Sequence, residues 1–291
     1  MDRSTLIGLA GGFGLISLAI LSQGNFLAFV SIASFLIVMG GVLAATLINY
    51  SANHITETYS ILKQTLTSTR SNLTDYVEMM IMFARRARRN GLLVLDDDVG
   101  YVEDDYLRNG LELAIDGISE ENLQQVLDDE IASIERQQDQ GVKVLESMGG
   151  YSPAFGMIGT IIGLVLMLQN LEDPETLGAG LSIALITTFY GTTMANLVFT
   201  PLAGKLQERS EKLVVEKSML RAGIVSLANG ENPRIMEKKM LSFVEPEERA
   251  EYLRIHGSKG YSQQQEEKLY NHWVNQQKDK WENVLSNLET G

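Results

Sequence analysis

No charged side chain falls between Ser147 and Leu171, and none between Thr176 and Gly204. Each run exceeds the roughly 20 helical residues needed to cross a hydrocarbon core about 30 Å thick. Inside lipid every backbone polar group must be satisfied internally, so such runs are expected to be helices. Only Leu171–Glu175, with Gly178–Gly180 behind it, separates them, which predicts an antiparallel membrane hairpin with a short acidic turn. Leu6–Leu21 and Phe26–Ile48 are further charge-free runs. The first suffices once Ser4, Thr5, Ser22 and Gln23 sit at the interfaces. It is a poor signal peptide, because Asp2 and Arg3 give no positive flank and a second span follows at once.

The expectation is an all-α membrane protein with four transmembrane helices, a large helical cytoplasmic domain between spans two and three, and a cytoplasmic C-terminal helix and tail. Residues 1–50 carry spans one and two, 51–149 the cytoplasmic domain, 150–204 the hairpin, 205–256 a cytoplasmic helical extension and 257–291 the tail. Orientation follows from the 24 Lys and Arg residues: Arg3, nine between Tyr50 and Gly149, and fourteen after Gly204. The positive-inside rule then places both termini and the middle segment in the cytoplasm, with Ser22–Asn25 and Leu171–Gly180 outside. Cysteine is absent, which excludes disulfides and thiolate metal sites. The middle segment holds 19 acidic and 9 basic residues within a chain of net charge −13. That balance argues against a nucleic-acid partner and for a protein partner that reads charge.

The hairpin carries hydroxyls at Thr160, Thr187, Thr188, Tyr190, Thr192 and Thr193, with Asn196. Thr188 and Thr192 share a helical face. Any one of these groups could bond back to its own helix or serve as packing glue; their density favours a polar path inside a bundle. Gly156, Gly159 and Gly163 give span three a smooth face for tight packing, as Gly8 and Gly12 do for span one and Gly40 and Gly41 for span two. Pro153 reads equally as an ordinary residue of a first helical turn or as a hinge. Pro201, inside span four ahead of a helical continuation through Leu206, Leu213, Leu220 and Leu227, is expected to bend its helix.

Between the membrane runs, Val77, Met80, Ile81 and Ala84 recur at helical spacing and predict an amphipathic helix over Asp75–Arg89, ended by Asn90 and Gly91. Arg85, Arg86, Arg88 and Arg89 crowd its last turns, and Asp96, Asp97 and Asp98 follow closely. The dipole of the helix accounts for some of the arginines. The remainder fits either an internal salt-bridge network or a bipolar surface for a charged partner. Further helices are expected over Asp105–Ile115 and Glu120–Glu146, the latter capped by Ser119. After a turn at Gly230–Pro233, a charged helix should run to about Ile255. Beyond Gly257 the Gln-, Asn- and Lys-rich tail, with Trp273 and Trp281, is expected to be loosely held. His54, His256 and His272 are far apart, and no phosphate loop or calcium loop occurs. No enzymatic activity, cofactor or metal site is expected.

An ion-coupled machine needs an ionisable group near the membrane midplane. None of the four runs contains Asp, Glu, Lys, Arg or His, so any titrating carboxylate must come from another subunit. The segments Pro153-Ala-Phe-Gly-Met-Ile-Gly-Thr-Ile-Ile-Gly-Leu-Val165, Ala184-Leu-Ile-Thr-Thr-Phe-Tyr-Gly191, Asn196-Leu-Val-Phe-Thr-Pro-Leu-Ala203, Gly230-Glu-Asn-Pro-Arg234 and Arg88-Arg-Asn-Gly-Leu-Leu-Val-Leu-Asp-Asp97 resemble the MotA/PomA family of flagellar stator subunits. The resemblance spans residues 1–245. It implies a homo-pentamer in the cell inner membrane around a MotB/PomB-like partner that brings the ion-binding Asp and a peptidoglycan anchor, with H+ or Na+ as the transported ion. By the same resemblance Thr160, Thr187, Thr188 and Thr192 lie along the ion path. Arg88, Arg89, Asp96 and Asp97 contact the rotor switch protein, the two Asp standing where Glu is frequent, and Pro153 and Pro201 are conformational prolines. An ExbB/TolQ-like energiser of envelope transport shares the hairpin, but usually has one span before its cytoplasmic part. A non-conducting scaffold would use the threonines for packing alone.

Overall fold

The computed structural model describes residues 3–24, 26–67, 72–169 and 174–256, together with Tyr270, Val274 and Asn275. Its helices are α1 (Arg3–Gln23), α2 (Ile32–Phe35), α3 (Gly41–Asn49), α4 (Ala52–Thr67), α5 (Leu73–Asn90), α6 (Asp96–Val99), α7 (Asp105–Ile115), α8 (Glu120–Gln169), α9 (Pro174–Met194), α10 (Thr200–Ala228), α11 (Pro233–Leu241) and α12 (Pro246–His256). Wider π turns at Leu36–Gly40 and Ala195–Phe199 join α2 to α3 and α9 to α10. No strand occurs among the described residues. The centre of the expected outer turn and, apart from Tyr270, Val274 and Asn275, the expected loose tail, Trp273 and Trp281 included, lie outside them.

The chain divides into two compact units, residues 1–69 with 135–211 and residues 70–134 with 212–291. The first holds the apolar spans. Four helical stretches are long and apolar enough to cross a membrane: Ser4–Ser22, Phe26–Asn49, and parts of Glu120–Gln169 and Leu177–Ala228. Their outer faces expose Leu6, Ile7, Leu15, Ile32, Ile161 and Leu185, a surface that suits hydrocarbon and not water. At one end Val42, Val142, Leu145, Phe199, Ala203 and Leu206 form a small core. Gly41 packs directly under the Phe155 ring, and a Cβ on Gly12 would lie 3.0 Å from Leu197 Cδ2. Gly8 and Gly40 have open space beside them, so one glycine of each expected pair makes a close approach.

The second unit has a conventional core. Met80, Phe83, Leu95, Leu107, Leu111, Leu123, Leu127, Met219, Leu220, Ile224 and Met236 are fully buried together. The stripe expected on α5 is this core's contribution, with Val77, Met80, Ile81 and Ala84 all buried. Gly91, at φ 87°, ends α5 in a conformation that only glycine adopts easily, and its N–H bonds Ala87 O at 2.8 Å. Ser119 Oγ accepts from Asn122 N at 3.4 Å ahead of α8, the cap the sequence indicates. Lys217, nearly buried on α10, pairs with Asp104 and lies 3.5 Å from Glu216 Oε1. Asp104 also caps α7 by accepting from Leu107 N at 2.9 Å.

Three boundaries differ from the sequence expectation. Glu120–Glu146 and span three are one continuous helix, α8, so Pro153 lies in a helix interior and not in a first turn. An interior proline costs about 3 kcal/mol, but here it removes one backbone bond from a helix of 50 residues whose length on both sides carries it. Gly178 and Gly180 belong to α9 and not to the turn, because Pro174 is preorganised to start a helix. The helix expected up to Ile255 is two, α11 and α12. The break precedes Pro246, since the residue before a proline is driven out of helical geometry.

Candidate functional site

The hairpin of the first unit closes on a glycine seam. A Cβ on Gly163 would stand 2.5 Å from Gly180 O and 2.6 Å from Ala184 N, and one on Gly191 2.5 Å from Ser152 O. A Cβ on Gly156 would lie 3.1 Å from Thr187 O, and Gly159 abuts the Thr187 side chain. Gly163 opposite Gly180 and Gly156 opposite Gly191 is the register of an antiparallel pair. Sequence reading named the span-three half of this seam. The span-four half, Gly180 and Gly191, is hidden there because isolated glycines show no partner until the register is known.

Hydroxyls gather on one edge of this seam. Thr160 Oγ1 lies 2.5 Å from Thr188 Oγ1 across the two helices, 3.0 Å from Gly156 O and 3.1 Å from Ala184 O. Thr187 and Thr188 Oγ1 lie 3.0 and 3.3 Å from the same Ala184 oxygen. One turn further, Thr192 Oγ1 donates to Thr188 O at 2.8 Å, and Asn196 Nδ2 donates to Thr192 O at 2.8 Å. Thr188, Thr192 and Asn196 form an exposed row with Thr160 half-buried beside it, whereas Thr187 is fully buried in the seam. A single residue step turns a helix by about 100°, which separates Thr187 from its neighbour. Each hydroxyl spends its proton on a protein oxygen, leaving lone pairs along the exposed row.

Both expected prolines occur where the helix departs from regular bonding. Pro153 has no N–H for Gly149 O, and next to it Ser152 Oγ donates to Met148 O at 2.8 Å. Ahead of Pro201 the helix widens, Thr200 N–H reaching back five residues to Ala195 O, which gives the proline ring room. Tyr190 fastens α9 to the start of α2: its OH donates to Phe29 O at 2.6 Å and accepts from Ser31 N at 3.1 Å.

In the second unit, α5, a 3-10 turn at Leu92–Leu95 and α6 form a charged corner. Arg88, Arg89, Asp96 and Asp97 are exposed on it. Asp98 is buried, 3% exposed, and its Oδ2 lies 3.4 Å from Arg86 Nε. Sequence reading did not separate this inner pair from the outer charges, because only the packing of α6 decides which Asp turns inward. A cavity of about 80 Å3 lined by Ala84, Ala87, Arg88, Leu92, Leu227 and Glu231 opens beside the corner. The Lys239 ammonium, bonded to Glu231 at 2.7 Å, holds that carboxyl below its ordinary range.

Helices long enough to cross a bilayer, a hairpin with an oxygen-bearing row and a separate charged helical unit define a helical membrane protein of the channel-subunit kind. Residues 99–219 match the model of the MotA/TolQ/ExbB proton channel family. The chain is 40% identical over 250 residues to the uncharacterized protein YtxD of Bacillus subtilis, covering 85% of this chain and 92% of that one. It is 30% identical to the chemotaxis protein PomA of Vibrio alginolyticus, over 86% of this chain and 98% of the relative. Among solved structures it superposes on Campylobacter jejuni MotAB with a TM-score of 0.79 at 30% identity, covering 84% of this chain and 97% of that one. The flagellar MotAB stator complex from Bacillus subtilis gives 0.80 at 27% identity, over 86% and 99%. The chain belongs to the MotA/TolQ/ExbB proton channel family, on its MotA/PomA branch.

Proposed function

We propose that this chain is the channel subunit of a flagellar stator, working with a MotB/PomB-like partner to turn a proton or sodium gradient into torque on the rotor. The observation that carries this reading is the exposed row Thr188, Thr192 and Asn196 beside Thr160, polar oxygens on a membrane hairpin whose spans hold no Asp, Glu, Lys, Arg or His. Moving one charge through the field releases about 2.3 kcal/mol per 100 mV, and a group that binds and frees the ion must harvest it. The partner's Asp supplies that group; the threonine oxygens of this chain line its path and replace hydration on the passing ion. Thr187 holds the seam behind them. Five copies surround the partner in the inner membrane, with termini and charged corner cytoplasmic. Arg88, Arg89, Asp96 and Asp97 then meet complementary charges on the rotor, where charge sets orientation and encounter more than affinity. Pro153 and Pro201 mark the places where the inner helices yield as the ion binds and leaves.

The test is Thr188→Val, alone and with Thr160→Val, expressed with the native partner. A stator loses most of its swimming speed while still assembling in the membrane. Full-speed swimming of the double variant defeats the reading, because threonines used only for packing tolerate valine. Swimming in sodium-free medium then assigns the ion, with unchanged speed excluding sodium.

A further inference from the structure

Tyr270 comes from the C-terminal stretch, far along the chain from the charged corner, yet its side chain is seated on the corner's inner pair. Its OH donates to Asp98 Oδ1 at 2.5 Å, and the Arg86 guanidinium lies over its ring, 4.0 Å from the centroid. Arg86 Nε and Asp98 Oδ2 are both cut off from solvent without a well-formed hydrogen bond of their own. A buried carboxylate in that condition is costly unless another donor reaches it. The phenol brings a donor to the other oxygen of the same carboxylate, Oδ1. Burial, and then the bond to Asp98, push its pKa up to about 12, so it keeps its proton throughout the physiological range.

We propose that Tyr270 is a positioning residue: its side chain clips the Arg86–Asp98 pair and so fixes the α5–α6 corner that presents Arg88, Arg89, Asp96 and Asp97. The clip grips the corner from its inner side, leaving the four outer charges exposed. It therefore steadies a partner-facing surface and does not cover it. Arg86 stands two residues before Arg88, and Asp98 directly follows Asp97, so play in the inner pair passes straight to the outer charges. That consequence for torque rests on the stator reading; the clip itself does not.

The experiment follows amide exchange over residues 92–102 in the full chain, in lipid nanodiscs with its partner, alongside swimming speed. Tyr270→Ala removes both the bond and the stacking, and exchange there should rise about tenfold with α7 and α11 unchanged. Tyr270→Phe keeps the stacking and should fall between the two. Asp98→Asn combined with Tyr270→Phe should cost less than the sum of the single changes, since both break one bond. Swimming of Tyr270→Ala should drop to about half through loss of a well-held contact surface. Unchanged exchange at 92–102, or a rise spread evenly over all the cytoplasmic helices, overturns the clip. Raised local exchange with normal swimming overturns its positioning role. The stator reading is judged separately: the clip can fail while Thr188→Val still stops swimming, and the reverse result fails the reading and leaves the clip standing.

Discussion

Glycine does different work in the two units. In the membrane hairpin, a Cβ on Gly163 or Gly191 would run into the backbone of the facing helix, at 2.5 Å from a carbonyl oxygen in each case. In the second unit, a Cβ on Gly223 would meet Met240 Sδ at 2.9 Å and Met80 Cε at 3.1 Å, the ends of flexible side chains. The solvent explains the contrast. Lipid gives two helices no hydrophobic reason to associate, so they gain from close backbone approach and dispersion. Water rewards burial of large apolar side chains, and a core of Met, Leu and Phe forms around whatever backbone spacing they require. Polar groups divide the same way. Hairpin threonines return their hydroxyls to carbonyls of the hairpin itself, whereas the second unit pairs full charges, Lys217 with Asp104.

The sharpest test of this contrast is Gly163→Leu, which should abolish the hairpin, read as loss of membrane-inserted, protease-resistant protein. Gly223→Ala should cost only about 1 to 3 kcal/mol in thermal unfolding, because methionine tips can move. Equal damage from the two substitutions would break the comparison. Next, Lys217→Met strands Asp104 and Glu216 in a low-dielectric site and should cost about 3 to 5 kcal/mol; adding Asp104→Asn should recover part of that loss. Charge reversal at exposed Arg88 should change stability by less than about 0.5 kcal/mol, yet impair swimming, with partial recovery when an opposite charge is reversed on the rotor.

The smallest effect is alkaline. Burial foremost pushes the Tyr76 and Tyr106 phenols well above the ordinary range and Tyr270 up to about 12. Unfolded phenols ionise near about pH 10. Above that pH the unfolded chain releases protons that the folded one keeps, so the second unit should be stable below it and lose stability as pH rises through the folded values. Tyr76→Phe should flatten that loss, measured as unfolding midpoint against pH.

Local signals in the sequence were strong wherever one residue type does one job. The α5 stripe, the stop at Gly91, the Ser119 cap and Asp105–Ile115 were legible because periodicity and capping depend on neighbours within a turn or two. Charge-free runs marked the spans for the same reason, and the proposed roles of the threonines and of the charged corner rest on the resemblance. Of the two readings open at Pro153, the helix start fails, because the local preference for proline in a first turn is overridden by the length of helix on either side. Gly180 reads as turn in the sequence because its partner, Gly163, is a helix away.

The order of charged and uncharged residues along the chain was therefore enough to determine that it is helical, that it crosses a membrane and that its spans own no carboxylate, amine, guanidinium or imidazole. Tertiary structure alone decided which threonine is sealed in the seam and which reaches the surface, which aspartate turns inward, and that Tyr270 closes over it. Helix formation and membrane partition act over a few residues at a time. Register and burial depend on contacts between residues remote in sequence, and no local pattern records them.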